Sequence, residues 1–373
     1  DAFMAPGFNL RTDNWGGSYE NRFRLAQMIV SRVREAIGPD FVLELRVSAT
    51  LGVPETYPFE EMLQFLKSVE DQIDIVNLVT GMDEYHDGNV KLCPPIFEPH
   101  LLNLERARAI RESCDVLVNI SGAIMDVQEA ERVLREGAAD LVLLGRSLVA
   151  DPFWPKKVLE GREDDIVPCI RCNNCYHIAT EHFNTCCTVN PRVYRENRVP
   201  LTLPRAQTAR SVVVVGGGPA GLSAAFYCRK MGYPVTVFEK ESRPGGMLLN
   251  GIPSFRLEKN IIDAEIEVLR QMGVTFKCGV EVGKDVTIQQ LREEGFKAFC
   301  AQGGRKAGVP GEDADGVKTG VEFLRSVNLD ESTKLSGRTV VVGGGNVAVD
   351  VARAALRAGS GEVSMFCLES RDI

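Results

Sequence analysis

No apolar run in the sequence approaches the ~18 residues of a membrane-spanning helix, and no cluster of Lys and Arg occurs anywhere along it. A nucleic-acid groove or a polybasic membrane contact is therefore not expected. Acidic side chains outnumber basic ones, 51 to 43, for a formal charge of −8 and a pI near 5.3. Low-complexity tracts are missing too. The opening stretch DAFMAPGFNL has neither the charged nor the apolar region of a signal peptide, so a soluble cytoplasmic protein is expected. What the chain does contain is 44% apolar residues, 35 Gly, 18 Pro and 11 Cys in 373 residues. That length and apolar content predict two or three domains with ordinary cores, and exclude disorder as the dominant state. Five of the eleven cysteines fall between Cys169 and Cys187. Thiols in a reducing compartment are seldom disulfides, so this block reads as metal ligands. The chain opens on Asp1 and closes on LESRDI straight after a strand-like run, so either end is read as a cut.

Over the first 150 residues short apolar runs alternate with amphipathic stretches. The strand-like runs are Phe41–Val47, Ile73–Thr80, Val116–Ser121 and Leu141–Leu144; the helical patterns are Glu20–Ala36, Phe59–Glu70, Leu102–Glu112 and Asp126–Glu136. Such alternation predicts right-handed βαβ units on a parallel sheet. Four strands make half of a (β/α)₈ barrel, whose usual length is ~250 residues. The expected fold class is α/β: the C-terminal half of a TIM barrel, a cysteine-rich segment, then two Rossmann-type domains. Expected boundaries are 1–155 for the partial barrel, 156–191 for the cysteine segment, 192–210 for a basic, Pro-containing linker, 211–310 for the first nucleotide domain and 311–373 for the second.

Two glycine-rich turns support the nucleotide domains. VVVVGGGPAGLSAAF places Gly216, Gly218 and Gly221 as G-x-G-x-x-G between a β-branched strand and an Ala-rich helix. The first allows the tight turn, the second admits a pyrophosphate close to backbone, and the third lets helix pack on strand. The phosphate then meets free N–H groups at the helix start. Glu239, eighteen residues past Gly221, can accept from a ribose hydroxyl. The following Arg243-Pro-Gly-Gly246 offers a second close backbone approach, as FAD requires. The later turn VVVGGGNVAVD holds Gly343, Gly345 and Ala348 as G-x-G-x-x-A, a pattern suited to nicotinamide dinucleotides. Glu369 beyond it would bind a free 2′-hydroxyl and repel a 2′-phosphate, which favours NADH, moderated by nearby Arg371.

Between barrel and nucleotide domains runs Cys169-x2-Cys172-x2-Cys175-x11-Cys187. Three closely spaced thiolates with a distant fourth suit a [4Fe–4S] cluster. Cys186 is an alternative fourth ligand, and structural zinc recruiting His177 or His182 is the rival chemistry. In the half barrel, VNISG and LLGR fit the last two strands, whose loops commonly hold phosphate. Gly122 and Gly145 would supply N–H groups and Arg146 a charge-assisted bond. Along LELRVS, Glu44, Arg46 and Ser48 share one face. Arg46 could reach a flavin pyrimidine, or pair with Glu44. Tyr85 and His86, expected in the loop after the second strand, are candidate proton donors or surface residues.

APGFNLRTDNWGGSYENRFR, the strand with Arg46, ISGAI, LLGRSLVADP and the cysteine block together resemble the old yellow enzyme branch containing 2,4-dienoyl-CoA reductase and trimethylamine dehydrogenase. Enoate reductases of anaerobes belong to the same branch. The resemblance implies FMN contacts at Arg46, Gly122, Gly145 and Arg146, cluster ligands Cys169, Cys172, Cys175 and Cys187, and a catalytic role for His86. From Gly251 through VVVGGGNVAVD the chain also resembles the small subunit of glutamate synthase. There an Arg pair recognises NADPH; Leu368 and Glu369 stand here instead. The turn that usually faces FAD reads Ala301-Gln302-Gly303-Gly304. The family's pattern also implies four further barrel strands upstream of Asp1 and a continuation beyond Ile373.

The implied activity carries electrons from NADH through FAD and the cluster to FMN, and from FMN to an activated C=C bond of an unsaturated carbonyl or thioester. Tyr85 or an upstream residue would supply the proton. One rival is an amine or N-methyl dehydrogenase running electrons into FMN; another is a non-catalytic fragment that binds cofactors only. The partner is a small molecule, with neither nucleic acid nor membrane, and a homo-oligomer is one option left open.

Overall fold

The computed structural model describes residues 2–54, 56–208, 210–296, 298–301, 316–330 and 332–367. Glu369, Arg371, Leu368 and the Gln302–Gly304 turn lie outside them. The chain divides into two compact units, Asp1–Val199 and Pro200–Ile373.

The first unit opens with α1 (Tyr19–Ile37), capped by the Ser18 hydroxyl, which accepts from the Asn21 N–H at 3.5 Å, and ended at Gly38 with φ 75°. Strand β1 (Glu44–Ser48), helix α2 (Phe59–Val69) and strand β2 (Ile75–Val79) follow. Helix α2 buries Met62, Phe65, Leu66 and Val69, one stripe at helical spacing. Next come α3 (His86–Leu92), α4 (Leu104–Ser113), β3 (Leu117–Ile120), α5 (Val127–Arg135), β4 (Leu141–Val142), α6 (Arg146–Ala150), α7 (Trp154–Leu159) and, inside the cysteine block, α8 (Asn174–Thr180). The four strands form one parallel sheet in chain order, with Arg46 beside Asn77, Asn77 beside Asn119, and Asn119 beside Leu141. Helices lie in the connections between these parallel neighbours, the βαβ order expected of this region.

Two expectations need correction. Strand β1 starts at Glu44, not Phe41: Asp74 Oδ2 takes the Leu43 N–H at 2.7 Å and the Arg34 guanidinium takes the Phe41 carbonyl at 2.8 Å, so side chains hold this approach off the ladder. Tyr85 and His86 are not in an open loop, because His86 begins α3 and Tyr85 precedes it. The glycines at either end of GMDEYHDG explain the turn: a Cβ on Gly81, whose φ is 94°, would sit 2.1 Å from the Gly88 carbonyl oxygen, so only glycine lets the segment fold back so tightly.

The second unit has a four-stranded parallel sheet, in the order Thr275–Cys278, Val235–Glu239, Val212–Val215 and Ala298–Ala301, and a two-stranded one of Arg338–Val342 and Glu362–Phe366. Its elements are β5 (Val212–Val215), α9 (Pro219–Lys230), β6 (Val235–Glu239), α10 (Met247–Asn250), α11 (Lys259–Gln271), β7 (Thr275–Cys278), α12 (Ile288–Glu293), β8 (Ala298–Ala301), α13 (Gly320–Leu329), β9 (Arg338–Val342), α14 (Asn346–Arg357) and β10 (Glu362–Phe366). Val212, Val214, Val235 and Val237 form a core with Ala225 of α9 and Leu269 of α11. A separate core joins α13 to α14 and β9. No described helix is long and apolar enough to cross a membrane.

Candidate functional site

The cysteine block folds around a hollow. Cys169, Cys172, Cys175 and Cys187 line one small cavity together with Arg146 and Asn173. Cys186 faces elsewhere: it lines a separate hollow with Tyr194, Arg195 and Arg198, and its sulfur accepts from Asn174 Nδ2 at 3.2 Å. Local hydroxyls steady the block, Thr188 Oγ1 lying 3.3 Å from Cys172 Sγ and Thr185 Oγ1 donating to the Cys175 carbonyl at 2.6 Å. Burial pushes the Cys169 thiol up, and pushes Cys175 up to about 11, because the thiolate loses its water. Among the described residues, no three His, Cys, Asp or Glu side chains are grouped to hold a single metal ion. His177 and His182 do not line the four-thiol hollow.

Three side chains of this block grip the segment after β2. Arg171, only 4% exposed, donates to the carbonyls of Pro95, Ile96 and Glu98 at 3.1, 3.0 and 2.7 Å. Asn173 Nδ2 donates to the Cys93 carbonyl at 2.6 Å, and Asn173 Oδ1 accepts from Arg146. The Tyr176 hydroxyl donates to Asp83 and accepts from Asn89 Nδ2 at 3.1 Å; burial first, then the Asp83 carboxylate, pushes that phenol up to about 12. Arg171 and Asn173 both adopt left-handed backbone, φ 50° and 57°. Sequence reading missed both, and only the Asn, a residue tolerant of that region, carried a signal. Tyr85 lies against the Phe8 ring, centroids 5.5 Å apart, whereas the His86 side chain is 93% exposed with Asp87 as its nearest charge at 3.8 Å.

Along the sheet, Glu44 Oε1 accepts from Asn77 Nδ2 at 2.9 Å and Asn119 Nδ2 at 3.0 Å. Its partners are these two amides rather than Arg46, which is exposed and has no ion pair among the described residues. Gly122, φ 112°, sits against Asn103, whose amide holds the Ser121 carbonyl at 2.9 Å and whose carbonyl accepts from Thr80. Gly145 precedes α6 with open space where a Cβ would stand.

In the second unit, a Cβ on Gly221 would lie 1.9 Å from the Gly216 carbonyl oxygen, and one on Gly246 would lie 2.7 Å from Gly218 Cα. Glu239, buried at the end of β6, accepts from the Gly217 N–H at 2.6 Å and the Glu241 N–H at 2.9 Å. Its remaining lone pairs stay available beside the turn. At the later turn Gly343 has φ 129°, Gly345 starts α14 with open space at its Cβ position, and Ala348 packs 3.5 Å from where a Gly343 Cβ would be.

Comparison with known proteins agrees with this division. Residues 1–165 match the NADH:flavin oxidoreductase / NADH oxidase family, and residues 210–371 match pyridine nucleotide-disulphide oxidoreductase. An NADH oxidase of Thermoanaerobacter brockii is 35% identical over 293 residues, 76% of this chain and 43% of that protein. A multifunctional alkene reductase/demethylase of Caballeronia cordobensis is 32% identical over 349 residues, 92% of this chain and 49% of that protein. The structure of a 2-naphthoyl-CoA reductase in complex with 2-naphthoyl-CoA superposes with a TM-score of 0.85 at 25% identity, covering 98% of this chain and 54% of that one. The chain thus spans about half the length of these relatives.

Proposed function

We propose that the chain, whose residues 1–165 match the NADH:flavin oxidoreductase / NADH oxidase family, is an NAD(P)H-dependent iron–sulfur flavoprotein of the old-yellow-enzyme-like branch of 2,4-dienoyl-CoA reductase that reduces an activated C=C bond. Its substrate would be a small unsaturated carbonyl or thioester. The observation that carries this reading is four thiols facing one hollow within the same unit as the flavin-type half barrel. A lone zinc ion, the rival occupant, would draw its sulfurs to about 2.3 Å from one point. Cluster thiolates bind separate irons and stand apart around a shared space. Cys187 is favoured over Cys186 as fourth ligand because it faces that space.

When bound, the nicotinamide supplies hydride, the flavins exchange electrons in ones or twos, and the cluster carries single electrons. The chain's own residues hold and orient these groups. Gly216, Gly218, Gly221, Glu239 and Gly246 would cradle FAD, and Gly343, Gly345 and Ala348 the nicotinamide dinucleotide. Gly122, Gly145 and Arg146 would receive the FMN phosphate; Arg146 spends one Nη on Asn173 and keeps its other donors. Arg46, which has no ion pair among the described residues, would put a cation beside the flavin pyrimidine. Tyr85, braced on Phe8, is better placed than solvent-facing His86 to hold the proton for the substrate.

Iron, sulfide and flavin should be measured on anaerobically prepared protein alongside Cys187→Ser and Cys186→Ser. Iron and sulfide are expected in the wild type and in Cys186→Ser but lost from Cys187→Ser; zinc in place of iron would overturn the reading. Turnover of cinnamate-type enoates and enoyl thioesters should then be compared with that of secondary and tertiary amines. The alkene reductase/demethylase relative supports amine oxidation as the second reading, and turnover of amines alone would establish it instead.

A further inference from the structure

Asp350 is the acid of the second fingerprint helix, α14, and it is nearly buried, at 8% exposure. A carboxylate so placed needs a partner, since an unpaired buried charge is strongly destabilising. Its partner lies 94 residues earlier: Arg256 Nε donates to Asp350 Oδ1. One residue before Arg256, the Phe255 ring lies under the guanidinium groups of Arg353 and Arg357, 4.9 and 4.3 Å from its centroid. Asp350, Arg353 and Arg357 stand three and seven residues apart, on one face of α14. That face therefore clasps the loop between α10 and α11.

The other end of this loop abuts the first fingerprint. Helix α10 starts at Gly246, whose backbone packs directly on Gly218. Asn328 of α13 donates to the Asn250 and Ile252 carbonyls at 3.1 and 3.4 Å, and Arg325 of α13 pairs with Glu241 at 2.6 Å. The segment Gly246–Leu257 is thus held at one end by the first nucleotide turn and at the other by the helix of the second.

We propose that Arg256 and Asp350 are a positioning pair for electron entry: by fixing α14 to the segment that touches the first turn, they set the approach of the nicotinamide to the flavin. Neither side chain needs to touch either cofactor. The inference rests on the reading of the two turns as FAD and nicotinamide sites. Its signature is a loss of hydride-transfer rate without loss of binding, because misalignment of reacting atoms weakens the step and not the dinucleotide contacts.

The test is anaerobic stopped-flow reduction of bound FAD by NADH, with FAD stoichiometry by absorbance and NAD⁺ affinity by calorimetry. Arg256→Gln and Asp350→Asn are each expected to lower the limiting rate about tenfold or more, a misplacement effect, with FAD fully bound and NAD⁺ affinity nearly unchanged. The double variant should be no slower than the worse single one, since both remove the same contact. Should a buried-site variant fail to fold, Arg353→Gln with Arg357→Gln changes only exposed side chains and is expected to slow the same step by about threefold by releasing Phe255. A limiting rate unchanged in these variants at full FAD loading overturns the positioning role, as does a parallel loss of NAD⁺ affinity. Wild-type protein that takes up no FAD overturns the two-nucleotide reading along with it.

Discussion

The Asn173 carboxamide accepts from Arg146 with its oxygen and donates to the Cys93 carbonyl, 2.6 Å away, with its nitrogen. One side chain in the cysteine block thereby ties the start of α6 to the end of α3. Replacing it leaves a guanidinium and a carbonyl without their partner, each a loss of about 1–3 kcal/mol where buried. Asn173→Ala is expected to be the worse substitution, because φ there is 57°, and a Cβ-bearing residue other than Asn or Asp sits in that region at about 1–2 kcal/mol. Asn173→Gly should recover part of that difference. Urea midpoints of the two variants check the order, and iron per protein reports whether the thiol hollow survives.

The two nucleotide turns should respond differently to alanine. At Gly221 a Cβ would overlap the Gly216 carbonyl oxygen at 1.9 Å, so Gly221→Ala forces backbone apart and is expected to lower stability and FAD content together. At Gly345 no atom lies within 4 Å of the Cβ position. Gly345→Ala should therefore melt like the wild type while NADH affinity falls about tenfold, since the methyl would occupy the space we propose for the pyrophosphate. Thermal unfolding with FAD absorbance, and a separate NADH titration, distinguish the two outcomes.

Arg46 is exposed and forms no ion pair among the described residues. Removing it should leave folding untouched, because surface substitutions without partners shift stability by only about 0.5 kcal/mol. Arg46→Gln is instead expected to weaken FMN retention and lower turnover about tenfold to a hundredfold, as loss of a fixed positive charge at a reacting ring would. Equal turnover in the two proteins at full FMN loading would rule out its flavin role.

Lys259 gives a pH prediction. Half-buried and near Arg243, its amine is pulled down to about 8, burial being the larger cause. Its Nζ donates to the Leu248 carbonyl at 2.9 Å and to that of Ile252. Since the unfolded Lys keeps its proton up to about 10.4, the unfolded chain holds more protons than the folded one between about 8 and 10.4, and stability rises with pH there. In Lys259→Met that contribution disappears. The melting-temperature difference, wild type minus variant, is expected to climb across this window and to stay flat below pH 7.

Much of the architecture was legible because it rests on local chemistry. The parallel strands and the helices between them follow from apolar periodicity, and the spacing of the first glycine turn from positions where a Cβ cannot fit, as at Gly221 and Gly246. The clustering of thiols could be read from spacing alone. The short helix at His86 could not, since it depends on Gly81 meeting Gly88 across a turn. Strand β7 was also unread, being only four residues with a half-buried face.

By itself the sequence determined which groups are present and in what order: a half barrel, a thiol block and two nucleotide turns, because those signals lie within a few residues of one another. Only the tertiary structure decided which of two adjacent cysteines faces the hollow, that Glu44 binds two asparagines rather than Arg46, and that Arg256 reaches Asp350 across 94 positions. Side-chain direction and long-range pairing are set by packing many elements at once, and no local pattern encodes them.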